Sequence, residues 1–238
     1  MRSLHPWSFF PSNLSPSAAR SMALQFAIRE IASCFEKIHE IEELAPLLIQ
    51  GERWPKELTT LLKELDQILL VNLTDPFGQK GGALDRLAFY ASKMGTPSPE
   101  IALLSTIEAK ILHSRERFSQ WRGRPFPERE TVLQEIQTLA ESAKSLLEQF
   151  LLSLMPALEE ARFDENVLFS LVEERDRINL PLHQSAVEKI FSKLYPSGPG
   201  HLRAILHEGY SRRGFGDFYT KHEALIESVS WETESVFQ

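Results

Sequence analysis

The chain has 238 residues, of which 42% are hydrophobic and 25% are charged, and its formal net charge is −7 at pH 7. This length and composition are typical of a globular protein with one large domain or two small ones. The acidic balance argues against a general nucleic-acid-binding protein, because affinity for polyanions comes from many Lys and Arg contacts to phosphate. The single cysteine, Cys34, excludes an internal disulfide bond and fits a reducing compartment.

The first 14 residues differ from the rest of the chain because they are rich in serine and proline. Pro6 and Pro11 interrupt the apolar residues, so the segment lacks the apolar region of a cleaved signal peptide. No apolar run reaches the ~20 residues of a membrane-spanning helix. We therefore expect a cytoplasmic protein without membrane association, with export without a cleaved signal peptide as the alternative. Residues 1–14 are expected to be a flexible segment that is dispensable for folding. A large loss of stability on truncation would instead indicate docking through Trp7, Phe9 and Phe10.

Apolar spacing predicts two amphipathic helices near the start of the chain. Ser15 and Pro16 supply an N-cap and a first helical position. The apolar stripe that follows recurs at intervals of four and three residues and comprises Leu24, Ile28, Ile31, Phe35 and Ile38. Pro46 is expected to break or kink this helix, because proline removes a backbone hydrogen bond. A second helix is predicted from Pro55 to the glycine-containing loop that follows Asp75.

Caps and breaks organise the middle of the chain. A helix is predicted from about Ala83 to Met94, with Gly95 as its C-terminal cap. The next helix begins at Ser98, followed by a proline at the first helical position. Residues 121–130, with the sequence WRGRPFPERE, interrupt the helical pattern before a long helix that runs to Pro156. This break is compatible with two arrangements: a boundary between two helical subdomains at 121–130, or a long loop within one bundle.

The last third of the chain is predicted to hold shorter helices. Asp164 is expected to cap a helix that ends near Asn179, and Pro181 is expected to begin the next one. Residues 201–207 can form two helical turns, residues 209–216 are predicted to be a loop, and a final helix can follow it. No strand-like alternation of apolar and polar residues extends over more than four residues. The pattern predicts an all-α protein, a helical bundle of about eight to ten helices that spans residues 15–238 as one domain or two closely packed subdomains.

No motif predicts a metal or another cofactor. Di-iron bundles use two Glu-x-x-His pairs, whereas this chain has only the pair Glu36 and His39. One cysteine does not support a zinc site. Cys34 is expected to be a small buried thiol rather than a nucleophile, because it lies beside the apolar stripe of the first helix.

A chemically varied segment, residues 195–222, is the first candidate site. It holds three of the four tyrosines, five of the eleven glycines and three of the seven histidines. Guanidinium groups pair with carboxylates or phosphates, and a helix N-terminus presents free N–H groups to anions. An ordinary loop, with its arginines paired to acidic helices, is the alternative. The candidate binding residues are His201, His207, Tyr210, Arg212, Arg213, Tyr219 and His222.

A second candidate surface lies at residues 115–129, where five arginines accompany aromatic side chains. Arg and aromatic residues are enriched at the centres of protein interfaces. The residues of this surface that we predict to bind a partner are Trp121, Arg122 and Arg124.

The two surfaces favour a non-enzymatic α-helical interaction protein, such as an adaptor, a chaperone or an exported effector, with a protein partner. The alternative is a small-molecule enzyme or ligand binder in which the His, Tyr and Arg side chains of residues 195–222 hold an anionic ligand, and histidine could act as acid or base. Nucleic-acid binding through stacked aromatic residues is the weakest of the three hypotheses, because the chain is acidic overall.

Overall fold

The computed structural model of the protein describes residues 14–50, 55–74, 81–119 and 126–212. These residues form ten α-helices and one π-helical segment, and no strand occurs among them, which confirms the predicted all-α fold. Within this part of the chain, no helix combines the length and apolar character needed to cross a lipid bilayer. The elements are α1 (Pro16–Gln50), α2 (Pro55–Gln67), the π segment (Ile68–Thr74), α3 (Ala83–Met94), α4 (Ser98–Ser119), α5 (Phe126–Ser153), α6 (Met155–Glu160), α7 (Glu165–Glu173), α8 (Arg175–Leu182), α9 (Ala186–Leu194) and α10 (Pro199–Arg212).

Helix α1 is the central element of the bundle. It packs against α2, the π segment, α3, α5, α7 and α8. The predicted stripe from Leu24 to Ile38 is confirmed, since each of its five residues is at most 1% exposed. Ala27 and Cys34, which lie beside the stripe, are buried as well. The helix is therefore covered on more of its circumference than an amphipathic surface helix would be.

Of the two expected effects of Pro46 on the first helix, a break or a kink, the break is wrong, because α1 continues to Gln50. Leu44 and Leu48 are buried on either side of this proline, while Pro46 itself is exposed. A proline inside a helix costs about 3 kcal/mol, and burial of each large apolar side chain contributes about 1.5–3 kcal/mol. Packing of the last turns of α1 therefore outweighs the missing backbone hydrogen bond.

The second predicted helix is divided into α2 and the π segment. Thr74 donates its hydroxyl hydrogen bond to the carbonyl of Leu69, five residues earlier, at 2.9 Å. Gly82, just before α3, approaches the π segment so closely that an added Cβ would lie 2.2 Å from the carbonyl oxygen of Leu73. Helix α3 has the predicted bounds, and Gly95 caps it with a φ of 78° while donating to the carbonyls of Ala91 and Ser92.

Two long helices, α4 and α5, flank the predicted break at residues 121–130. They pack against each other, and α5 also packs against α1. Helix α5 begins within the predicted break, at Phe126, and residues 120–125 lie outside the described residues. The subdomain boundary therefore stays a prediction, as does the flexibility of residues 1–14, of which 1–13 lie outside the described residues as well.

The predicted cap at Asp164 is confirmed. One of its carboxylate oxygens accepts hydrogen bonds from the backbone N–H groups of Asn166 (2.9 Å) and Val167 (3.4 Å). The predicted end near Asn179 is wrong, because α7 ends at Glu173 and α8 follows at once. The side chain of Asn179 instead accepts a hydrogen bond from the N–H of Val187 (3.0 Å), which helps to start α9.

Pro181 and the segment after residue 208 also differ from the sequence-based expectation. Pro181 lies in the last turn of α8 instead of beginning a helix, and its ring is buried there. Helix α10 continues through Gly209 to Arg212, so residues 209–212 are helical rather than the start of a loop. Leu202 and Leu206 are buried four residues apart, and this packing offsets the roughly 1 kcal/mol that a glycine costs in a helix.

Candidate functional site

A cleft of about 640 Å³ lies where the first turns of α1 face the corner between α6 and α7. One wall is formed by residues of α1 between Pro16 and Leu24. The opposite wall extends from Ala157 to Asp164, and Met94 at the end of α3 also lines the cleft. This volume is in the range of cavities that bind small ligands or a few side chains of a partner.

A polar contact joins the corner between α6 and α7 to α1. The hydroxyl of Ser21 donates a hydrogen bond to the second carboxylate oxygen of Asp164, the residue that caps α7. Helix α6 is only six residues long, with Pro156 in its first turn, so the chain can turn sharply on both sides of it. These local features position the α6–α7 corner opposite the first turns of α1.

Two charged residues at the cleft, Arg20 and Glu160, are exposed. The side chain of Arg20 is 60% exposed and that of Glu160 is 75% exposed, and their nearest charged atoms are 3.8 Å apart. An exposed pair at this distance contributes between zero and about 1 kcal/mol. Arg20 and Glu160 are therefore free to rearrange when another molecule enters the cleft.

Phe163 is an exposed aromatic residue at the cleft, with 57% of its surface accessible to solvent. The guanidinium of Arg162 lies 4.9 Å from the centre of its ring, a cation–π distance. The ring of His201 lies 6.1 Å from that of Phe163 and 6.0 Å from that of Tyr195. Tyr195 is buried and donates a hydrogen bond to the carbonyl of Arg162, and burial raises the pKa of its phenol.

Among the predicted site residues whose side chains the structure describes, His201 alone lies next to the cleft, through its ring contact with Phe163. His207 is exposed on α10, on a different face of that helix from His201. Tyr210 and Arg212 belong to the last turn of α10, and as binding residues they stay predictions. The remaining predicted residues lie outside the described ranges and stay predictions: Arg213, Tyr219, His222, Trp121, Arg122 and Arg124.

Sequence reasoning missed Arg20, Glu160 and Phe163 as site residues. One signal was present, because Phe163 is a large apolar residue in a short segment between two helices, beside an arginine and a capping aspartate. Such a residue has no neighbouring turns of its own helix to cover it. The contribution of Arg20 could not be found in this way, since it depends on the approach of two distant segments.

A second group of polar residues is half-buried between α1 and α3. Arg86 donates two hydrogen bonds of 2.9 Å to the carboxylate of Glu30 and one of 2.5 Å to the carbonyl of Gly81. Burial, and to a lesser degree Glu30, raises the pKa of the nearby Cys34 thiol, while Arg86 lowers it. Cys34 is fully buried, which confirms the prediction of a small buried thiol.

Glu36 and His39 contact different charged side chains. Glu36 accepts a hydrogen bond of 2.6 Å from Arg177, which joins α1 to α8. His39 lies 3.5 Å from both Glu42 and Glu43, which is long for a hydrogen bond. Across the described ranges, no three His, Cys, Asp or Glu side chains come together in a group that could hold a metal ion.

No protein-family model matches the chain, and no curated protein or solved structure matches it either. The site must therefore be interpreted from its own geometry.

Proposed function

We propose that the protein is an α-helical interaction protein that binds an apolar segment of a protein partner in the cleft between α1 and the α6–α7 corner. The observation that carries this proposal is the exposed ring of Phe163 at a cleft of about 640 Å³. Aromatic side chains beside a pocket are typical centres of protein interfaces. The apolar residues that would contact the partner are Pro16, Ala18, Leu24, Met94, Ala157 and Ala161.

The arrangement of charge around this centre supports the proposal. Arg20, Glu160 and Arg162 carry exposed charges of both signs around the apolar residues. A polar and solvent-accessible rim around an apolar centre is the usual anatomy of a protein interface. His201 would extend the contact surface onto α10 and toward the arginines predicted from the sequence. A partner with an exposed apolar segment and few charges would fit this surface best.

A small anionic ligand is the second candidate for the cleft. The volume is in the range of small-molecule sites, and the guanidinium of Arg20 has only a weak partner at 3.8 Å. Arg20 could therefore bind a carboxylate or phosphate with little loss of stability elsewhere. This candidate corresponds to the alternative predicted from the sequence, with the site on α1 instead of in residues 195–222.

Site-specific photo-crosslinking in native extract tests the proposed function. A photoreactive phenylalanine at position 163 should yield one cross-linked protein of defined mass. The same group at Leu152, which is 48% exposed and does not line the cleft, is the control for surface encounters. Equal cross-linking of the same proteins at both positions would contradict the proposal.

A matched pair of variants locates the binding to the cleft. Ala18 is exposed on the α1 wall, so Ala18→Arg should obstruct the cleft and abolish the cross-link from position 163. Ala102→Arg places the same side chain on an exposed position of α4 and should leave it unchanged. Arg20→Gln separates the two candidates, because it should abolish binding of an anion and only weaken binding of an apolar segment.

A further inference from the structure

The N-terminal segment, residues 1–13, joins α1 at the edge of the cleft. The hydroxyl of Ser15 accepts a hydrogen bond of 3.2 Å from the N–H of Ala18, which makes Ser15 the cap of α1. Pro16, Ser17 and Ala18, the residues immediately after this cap, line the cleft. Any chain that precedes Ser15 therefore begins within one helical turn of the α1 wall.

The sequence of the N-terminal segment is complementary to the cleft. Trp7, Phe9 and Phe10 place three aromatic side chains within four residues. No Lys, Arg, Asp or Glu occurs from Ser3 to Ala19, so the cleft could take up this part of the chain without burying an unpaired charge. The exposed ring of Phe163 and the apolar walls offer the kind of surface that aromatic side chains bury.

Chain length and stiffness also permit the contact. Ser8 precedes Pro16 by eight residues, and an extended chain of eight residues reaches at most about 29 Å. Pro6 and Pro11 flank the aromatic residues, and proline restricts the free chain, so less conformational entropy is lost on docking. An extended, proline-containing peptide in an aromatic-lined groove is a recurrent mode of recognition.

We infer that the N-terminal segment of the same chain occupies the cleft, with aromatic side chains of residues 7–10 against its apolar walls. The bundle is still expected to fold without the segment, because the core is formed by the helices. Because the cleft is also the proposed partner site, a partner would have to displace the segment before it binds. This regulatory consequence rests on the proposed function, whereas the docking itself does not.

Disulfide trapping in the full-length chain tests the docking without any partner. Ser8→Cys is combined with Ala157→Cys on the cleft wall, or, as the matched control, with Ala204→Cys, which is exposed on α10 one turn after His201. The native Cys34 is fully buried and does not compete for oxidation. Circular dichroism and thermal denaturation check that both double variants fold, and Ala161→Cys replaces Ala157→Cys if the latter lowers the melting temperature.

Mild oxidation should form the disulfide between positions 8 and 157 roughly tenfold or more faster than the one between positions 8 and 204, because docking raises the local concentration. Adding Phe9→Ser and Phe10→Ser should reduce trapping at position 157 to the rate of the control. Equal rates for the two pairs would overturn the docking, and so would no effect of the two serine changes. A disulfide between two chains would assign the cleft to a second copy and would equally overturn it. In the Phe9→Ser, Phe10→Ser variant, whose cleft is not occupied by the segment, absence of the cross-link from position 163 to another protein would count against the proposed function alone.

Discussion

Replacing Gly82 with alanine should destabilise the protein more than the same change at Gly95 or Gly200. Gly82 precedes α3 and faces the end of the π segment. An added Cβ would lie 2.2 Å from the carbonyl oxygen and 2.5 Å from the carbonyl carbon of Leu73, and 2.6 Å from the carbonyl carbon of Thr74. All three atoms belong to backbone, so no flexible side chain can move aside to accommodate the methyl group.

The size of the effect follows from the need to shift two packed backbones. Overpacking of a core costs about 1–3 kcal/mol, and a clash with backbone belongs at the upper end of that range. For a protein of this size, each 1 kcal/mol lowers the melting temperature by about 2–4 °C, so Gly82→Ala should lower it by roughly 6–12 °C. The backbone of Gly82, with a φ of −67°, suits alanine, and the loss therefore measures the close approach alone.

Two further glycines provide matched controls in the same thermal denaturation assay. Gly95→Ala meets no atom within 4 Å, but its φ of 78° imposes a left-handed conformation, so the expected loss is about 1–2 kcal/mol. Gly200→Ala also has open space around it and lies in the first turn of α10, so it should gain up to about 1 kcal/mol. If Gly82→Ala lost less stability than Gly95→Ala, the described approach of α3 to the π segment would be refuted.

Three other outcomes are expected. Phe35→Ala should lower the free energy of unfolding by about 3–5 kcal/mol in urea denaturation, because the ring is fully buried, and a loss below about 1 kcal/mol would contradict that burial. Burial raises the pKa of Cys34 in the folded protein, so above about pH 8.5 only the unfolded state loses the thiol proton. Ionisation of this one group should then lower the free energy of unfolding by about 1.4 kcal/mol for each pH unit. Cys34→Ala should therefore show a flatter pH dependence between pH 8.5 and 10, and identical slopes would rule out this linkage. Changing Arg212 and Arg213 to alanine should preserve the melting temperature and weaken salt-sensitive binding of an anionic partner, whereas unfolding of this variant would make both arginines structural.

Local spacing predicted those parts of the fold that depend on neighbours in sequence. The stripe of α1 and the caps at Gly95 and Asp164 could be predicted because each is defined within a few residues. The prolines at positions 46 and 181 could not, since their tolerance depends on burial of surrounding side chains by other helices. Helix propensity correctly predicts the free-energy cost of a proline inside a helix. It does not predict the larger stabilisation from packing of the neighbouring side chains against other helices.

The candidate site was beyond prediction for a related reason. The hydrogen bond that holds its corner joins Ser21 to Asp164, which are 143 residues apart in sequence. The sequence-based candidates were chosen for chemical variety, and of these His201 reaches the cleft only through its contact with Phe163. The residue types in a segment indicate which groups it could bind. The cleft itself is formed by segments that are far apart in sequence, and no local pattern predicts that they meet.

The central position of α1 has a consequence for biosynthesis. Every helix that covers it follows it in the chain, and α8, which pairs Arg177 with Glu36, ends 132 residues after α1 does. At usual translation rates this interval is on the order of ten seconds. During that time the apolar residues of α1 that pack against α7 and α8 lack these native partners. The newly made helix therefore exposes apolar residues that its later partners bury, and native packing can be completed only after most of the described chain has left the ribosome.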